Sequence, residues 1–402
     1  MKLLNWFTNL WQSLWAKKLE STVPPEHVEK IYASVKANNL QASPDDDRDY
    51  FFVPTVDPTN IIKTSNYRFT TDIEDQLSLG SCTGHATTSV CEAINNTVLP
   101  MDFPRTELSR LFSYQMAQVY DDIYRQGDVG AVTRSAIRAA KTYGLPLESD
   151  YPYSVEGYKT LPSDEVKAKA AARKVGRYER IFVDRDNFNA TFYAIESALA
   201  QGCKLVIAMK VPRWLFYVSG PMSEHWKFPS QTGHASDYYQ EIMGFHAIVL
   251  GDFDKHIASG GGVGNSYILE NSWGTQWGDN GRYAMPKWQF LMNVTEIWVI
   301  RQFNGVTVGG EISRPPLTAQ QISDGRAWLI SRGLGSFSQQ SGFNYVGGSA
   351  MVGNYVAAGA SRRAGYTSEE YAQIIGLPVA DVKAFMENPD PAHQALINAY
   401  AQ

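Results

Sequence analysis

Residues 76–86, Gln-Leu-Ser-Leu-Gly-Ser-Cys-Thr-Gly-His-Ala, constrain this chain more than any other stretch. The small-residue turn Gly80-Ser81 feeds a cysteine into a run through Ala86 and Val90 that predicts a helix starting at Cys82. A thiol at a helix N-terminus sits in the positive end of the macrodipole, which favours its thiolate. The free N–H groups of that first turn can also hold an oxyanion. Gln76, six residues upstream, offers a side-chain amide as a second donor. An activated thiol needs a base, and the base needs an orienting partner.

Two distant segments supply candidates for both. His246 stands in Gly244-Phe-His-Ala-Ile-Val-Leu-Gly-Asp-Phe253, and Asn271 opens Asn-Ser-Trp-Gly-Thr-Gln-Trp-Gly278. The order Cys, His, Asn and these local sequences resemble the papain-like cysteine peptidases, over about residues 66–301. The resemblance implies Cys82 as nucleophile, His246 as base, Asn271 as the residue that orients the imidazole, and Gln76 in the oxyanion hole. It also implies that Trp273 shields the His–Asn hydrogen bond and that Trp277 lines the leaving-group side. The 164 residues from Cys82 to His246 exceed the roughly 130–150 of that family, and an insertion at 213–240 accounts for the excess.

Leu79 stands where secreted members carry a disulfide cysteine, and Thr83 replaces the usual aromatic. This pattern is closer to bacterial and phage-type relatives. Gly130, in Gly127-Asp-Val-Gly-Ala131, matches the family's glycine turn that pairs with a bound peptide, although an ordinary turn fits the same residues equally. Phe245 and Ala247 flank the base and are expected in a hydrophobic pocket. Tyr151-Pro-Tyr153 resembles a family stretch and reads as packing. His85, His225, His234 and His256 lack metal-like spacing, so no metal or cofactor is expected.

A length of 402 residues suggests two or three units. With 44% hydrophobic and 19% charged residues, the chain can bury a substantial core. A net charge of −5 gives no electrostatic case for nucleic acid. Three cysteines (Cys82, Cys91, Cys203) make no disulfide framework, which fits synthesis in a reducing, intracellular compartment or a virion-associated protein. No run approaches the roughly 20 apolar residues of a membrane span.

The order of segments predicts an α+β fold with a helical lobe and an antiparallel barrel lobe. Residues 1–19 carry Leu3, Leu4, Phe7, Leu10, Trp11, Leu14 and Trp15 at helical spacing, interrupted by polar residues unlike a signal peptide. A docking groove suits this amphipathic helix better than a membrane surface. The whole arm, 1–65, includes a short helical stretch near His27–Ala37 and lies where the family carries a pro-segment; a linker is the alternative. Helices are predicted at 82–90, 108–125, 133–143, 166–174 and 187–201. Strands follow at 204–209, 247–253, 266–270, 281–285 and 296–301, with a hairpin tip at Gly260–Gly262. The peptidase-like region is 66–302, and 303–316 reads as a linker.

Residues 317–402 form a Gly-rich and mainly helical module, with eight glycines over 333–365. Ser368–Asn388 has helix-turn-helix-like spacing, but one lysine against four acids argues against a phosphate-binding face. A protein partner or self-association through 1–19 and 317–402 is expected instead. The chain thus reads as a cysteine peptidase acting on a polypeptide substrate. The alternatives are a structural or virion-associated scaffold that keeps the fold, and a peptidoglycan endopeptidase.

Overall fold

The structure is a computed structural model that describes residues 24–37, 40, 43–44, 46, 49–54, 56–58, 71–98, 105–227, 241–258, 264–308, 319–331, 336–338, 342–344 and 368–375. These fall into two compact units, one within 1–43 and 54–310, the other within 44–53 and 311–402. The amphipathic stretch 1–19 and the glycine tip 260–262 lie outside the described residues.

In the first unit, helix α1 (Pro25–Ala37) precedes a helical layer of α2 (Cys82–Asn96), α3 (Arg110–Tyr120) and α4 (Thr133–Thr142). Ser109 caps α3 by accepting from the Phe112 N–H at 3.2 Å, which satisfies one orphan donor of the first turn. Gly84 lets α2 and α3 approach closely, because a β-carbon there would lie 2.8 Å from the Arg110 carbonyl oxygen. Arg110, buried in this layer, ion-pairs with Glu74, Glu92 and Glu148. The short helix α5 (Asp164–Ala170) and the longer α6 (Phe188–Ala200) follow.

The second layer is a six-stranded antiparallel sheet with the order β1-β6-β2-β3-β4-β5. Its strands are β1 (Tyr178–Ile181), β2 (Leu205–Pro212), β3 (Ile242–Ala258), β4 (Gly264–Glu270), β5 (Arg282–Pro286) and β6 (Val294–Ile300), with α7 (Lys287–Asn293) between the last two. Central β2 is buried along almost its whole length, as a strand covered on both faces must be. Register places His246 opposite Met209 and Glu270 opposite Val249, which brings the two signature segments side by side.

Several elements differ from the sequence expectation. Strand β3 is far longer than 247–253, so His246 lies inside a strand rather than at its start. The proposed insertion at 213–240 begins as two tight turns, Arg213–Tyr217 and Met222–Lys227; Trp214, Leu215 and Phe216 are core residues, so this part is integral to the unit. Residues 303–308 are not linker: β7 (Gln302–Phe303) pairs with β8 (Val306–Thr307), and Phe303 is buried.

The second unit contains α8 (Ala319–Ser331), a hairpin of β9 (Ser336–Ser338) and β10 (Gly342–Asn344), and α9 (Ser368–Ile375). Leu329, Tyr371 and Ile374 are buried, and Arg326 donates from Nε to the Ile374 carbonyl at 2.6 Å. The two helices therefore pack on each other, and part of the glycine-rich segment is a hairpin rather than extended chain.

Candidate active site

Cys82 is the first residue of α2, as its turn sequence predicts. His246 is carried by β3, and Asn271 follows β4 directly. His246 donates from Nε2 to Asn271 Oδ1 at 2.7 Å, which fixes the tautomer and leaves Nδ1 as the lone-pair nitrogen. Trp273 stacks on the imidazole with centroids 4.5 Å apart and covers this bond. The Ala247 N–H donates to Cys82 Sγ at 3.3 Å, setting the sulfur beside the residue that follows His246. Gln76 is held from both sides: its Oε1 accepts from Ser272 Oγ at 2.6 Å, and its Nε2 donates to the Leu79 carbonyl at 2.9 Å. The four signature residues thus converge from opposite layers.

Burial dominates the electrostatics. Cys82 and His246 are fully buried, and desolvation pushes the His246 imidazolium down to about 4, against the opposing effect of its Asn271 hydrogen bond. His85, one turn into α2, is likewise pushed down to about 3 by burial. Among the other thiols, burial raises Cys91, and it pushes Cys203 up to about 11. All three cysteines are free.

The remaining candidates divide. Phe245, next to His246 in the chain, is partly exposed. Ala247 is buried, and its contribution is the backbone donor to sulfur rather than a pocket wall. Trp277 is also buried; it donates from Nε1 to the Leu215 carbonyl at 2.8 Å and meets Trp273 edge-on at 5.3 Å, so no leaving-group surface is open there. Gly130 turns inward, donating its N–H to Tyr114 Oη at 3.0 Å and accepting from Gln118 Nε2 at 2.9 Å. Its backbone donor is therefore committed within the protein, unlike the peptide-pairing edge that the resemblance implies.

Tyr153 does more than the packing its motif suggests. Its hydroxyl donates to the Gln76 carbonyl at 2.8 Å and meets Ser81 Oγ at 2.7 Å, tying the Gln76 backbone to the turn before Cys82. A buried tyrosine hydroxyl needs such partners, but its sequence does not say which.

Helix α1 packs on the sheet side of the same site. Val35 fills the space above Gly244, where a β-carbon would lie 2.8 Å from Val35 Cγ1. Tyr32 meets Phe216 edge-on at 6.3 Å, and Phe216 in turn meets Trp273 at 5.9 Å. His27 is buried against the Trp273 backbone and close to Asp75. Beyond α1 the chain is anchored at Ser43, whose N–H and Oγ both donate to the buried Glu296 carboxylate. Among the described residues, no group of three His, Cys, Asp or Glu side chains could hold a metal, and no helix is long and apolar enough to cross a membrane.

The family model described as papain family cysteine protease matches residues 57–296. An uncharacterized peptidase C1-like protein of Acanthamoeba polyphaga mimivirus is 26% identical over 238 residues, covering 57% of this chain and 69% of that protein. Vignain of Vigna mungo is 27% identical over 220 residues, covering 54% of this chain and 51% of its own length. Xylellain, a cysteine protease from Xylella fastidiosa, aligns in structure with a TM-score of 0.48 at 21% identity, over 66% of this chain and 95% of that one. With more than half its length matched by the family model, the chain belongs to the papain family of cysteine proteases.

Proposed function

We propose that the chain hydrolyses peptide bonds through Cys82, His246, Asn271 and Gln76, and that the structure describes its latent form. The observation that carries this reading is the His246–Asn271 hydrogen bond at 2.7 Å, set in one buried site with a thiol at a helix N-terminus. Cys82 Sγ passes its proton to His246 Nδ1 and attacks the substrate carbonyl carbon, and the Cys82 N–H and Gln76 amide hold the oxyanion. His246 delivers its Nδ1 proton to the leaving amine as the carbon–nitrogen bond breaks, which leaves a thioester. Water then gives a proton to His246 and attacks the thioester; the acid departs and the thiol is restored. Asn271 acts through the ring, holding Nδ1 toward the reaction.

Latency follows from burial. A substrate carbonyl cannot reach a sulfur with no exposed surface, and burial disfavours the imidazolium that His246 must form to activate it. Displacing α1 would open the site and restore solvation to His246. The substrate class follows from family membership: a polypeptide, with a peptide bond in peptidoglycan needing the same four residues. Release of peptides from labelled casein by the wild-type chain, absent in Cys82→Ala, tests the reading. Equal release by both would refute it, and no release by either once α1 is displaced would favour the scaffold alternative.

A further inference from the structure

We propose that Asp128 is a positioning residue for this reaction, setting the Gly80–Cys82 turn so that the Cys82 N–H points at the substrate oxyanion. The inference rests on the function proposed above. Asp128 Oδ1 and Oδ2 accept the Gly80 N–H at 3.0 and 3.1 Å, across 48 residues of sequence. Tyr114, fully buried on α3, donates its hydroxyl to Asp128 Oδ1 at 2.5 Å. The same hydroxyl accepts the Gly130 N–H at 3.0 Å, so the loop that bears Asp128 is itself fixed to α3. Bonds to a carboxylate are shorter and stronger than neutral ones, and burial raises their value further. With all three cysteines free, no disulfide braces this turn.

The clamp acts on the backbone donor more than on the sulfur. Cys82 Sγ belongs to a helix packed tightly at Gly84 and is held by the Ala247 N–H. The Ser81–Cys82 peptide instead opens the helix at its N-cap, and Ser81 makes no side-chain capping bond there. The Ser81 carbonyl of that peptide accepts the His85 N–H at 3.2 Å, and the turn that leads into it is held by the Gly80 N–H on Asp128 together with Ser81 Oγ on Tyr153. Asp128 is thus a rigid stop for the turn, reached through one peptide unit from the oxyanion donor.

Two reactions at the same sulfur separate this role from general stability. Acylation by the p-nitrophenyl ester of a blocked amino acid passes through an oxyanion; alkylation by iodoacetamide does not. Both need α1 to open, so their ratio cancels access. In full-length Asp128→Ala the acylation-to-alkylation ratio should fall about tenfold or more, the scale of a displaced oxyanion donor. Asp128→Asn keeps an acceptor for Gly80 and should recover most of the ratio. Asp121→Asn, which perturbs a different buried contact to Ser135 in the same layer, should leave it unchanged. An unchanged ratio in folded Asp128→Ala, or an equal fall in Asp121→Asn, overturns the proposal. If Asp128→Ala does not fold, Tyr114→Phe decides: a ratio reduced about threefold or more supports the clamp, and an unchanged one overturns it. A chain with α1 displaced by Val35→Glu and Asp128 intact that gives neither a nitrophenolate burst nor preferential labelling of Cys82 fails the proposed function itself.

Discussion

Val35 of α1 occupies the space beside Gly244, two residues before His246, at a distance that leaves no room for a β-carbon. In the latent form proposed above, His246 is reached only after that contact opens. Val35→Glu places a charge in a buried apolar contact, which is costly without a partner. It should speed iodoacetamide labelling of Cys82 by about tenfold or more and shift the melting temperature of the sheet-bearing unit by only a few degrees. Labelling at the wild-type rate would mean that α1 does not limit access.

His27 makes the cover sensitive to acid. Its folded-state pKa is lowered, first by burial and then by Lys30, with Asp75, Glu26 and the Trp273 backbone opposing. A lowered histidine pKa means the unfolded or released segment takes up the proton first. The contribution of His27 to the closed state is thus complete above about pH 6.5 and is lost as pH falls below it. The ratio of Cys82 labelling in wild type to that in His27→Gln should rise between pH 7 and pH 5. A flat ratio would remove His27 from the opening step.

Much of this site was legible in the sequence because its chemistry is local. A Gly-Ser turn before Cys82 predicts the helix start, and the segments around His246 and Asn271 carry their own signatures. Asp128 and Tyr153 were not legible, since each acts through a hydroxyl or carboxylate whose partner lies 48 or 77 residues away. Strand β1 was missed because Tyr-Glu-Arg-Ile alternates only over four residues. The inward turn of Gly130 depends on Tyr114, on another helix. The surface that α1 covers was equally hidden, although its arm lies where the family carries a pro-segment: an amphipathic helix announces that it packs, but not against which surface.

In the proposed mechanism Asn271 orients His246 without touching substrate, so its removal should cost less than removal of the groups that react. Asn271→Ala is expected to lower kcat by roughly 100-fold, while Cys82→Ala and His246→Ala lose roughly 10,000-fold or more. Hydrolysis of one fluorogenic peptide by the three folded variants checks the order. An Asn271→Ala protein as inactive as Cys82→Ala would give Asn271 a direct part in the chemistry.

Tyr153→Phe removes the hydroxyl shared by Gln76 and Ser81 and leaves the ring that packs on His85 at 4.8 Å. Activity should fall about tenfold through kcat, with KM changed less than about threefold, because the loss falls on the oxyanion side. A change confined to KM would contradict that placement.

The central claim, that Cys82 is the activated thiol, is tested most directly by limiting iodoacetamide labelling of the Val35→Glu chain near pH 6, followed by peptide mapping. Cys91 and Cys203 lie in settings that raise their thiol pKa values, so neither should compete. The account predicts label on Cys82 alone, and its loss in His246→Ala. Equal labelling of the three cysteines, or labelling of Cys82 that is indifferent to His246, would contradict it.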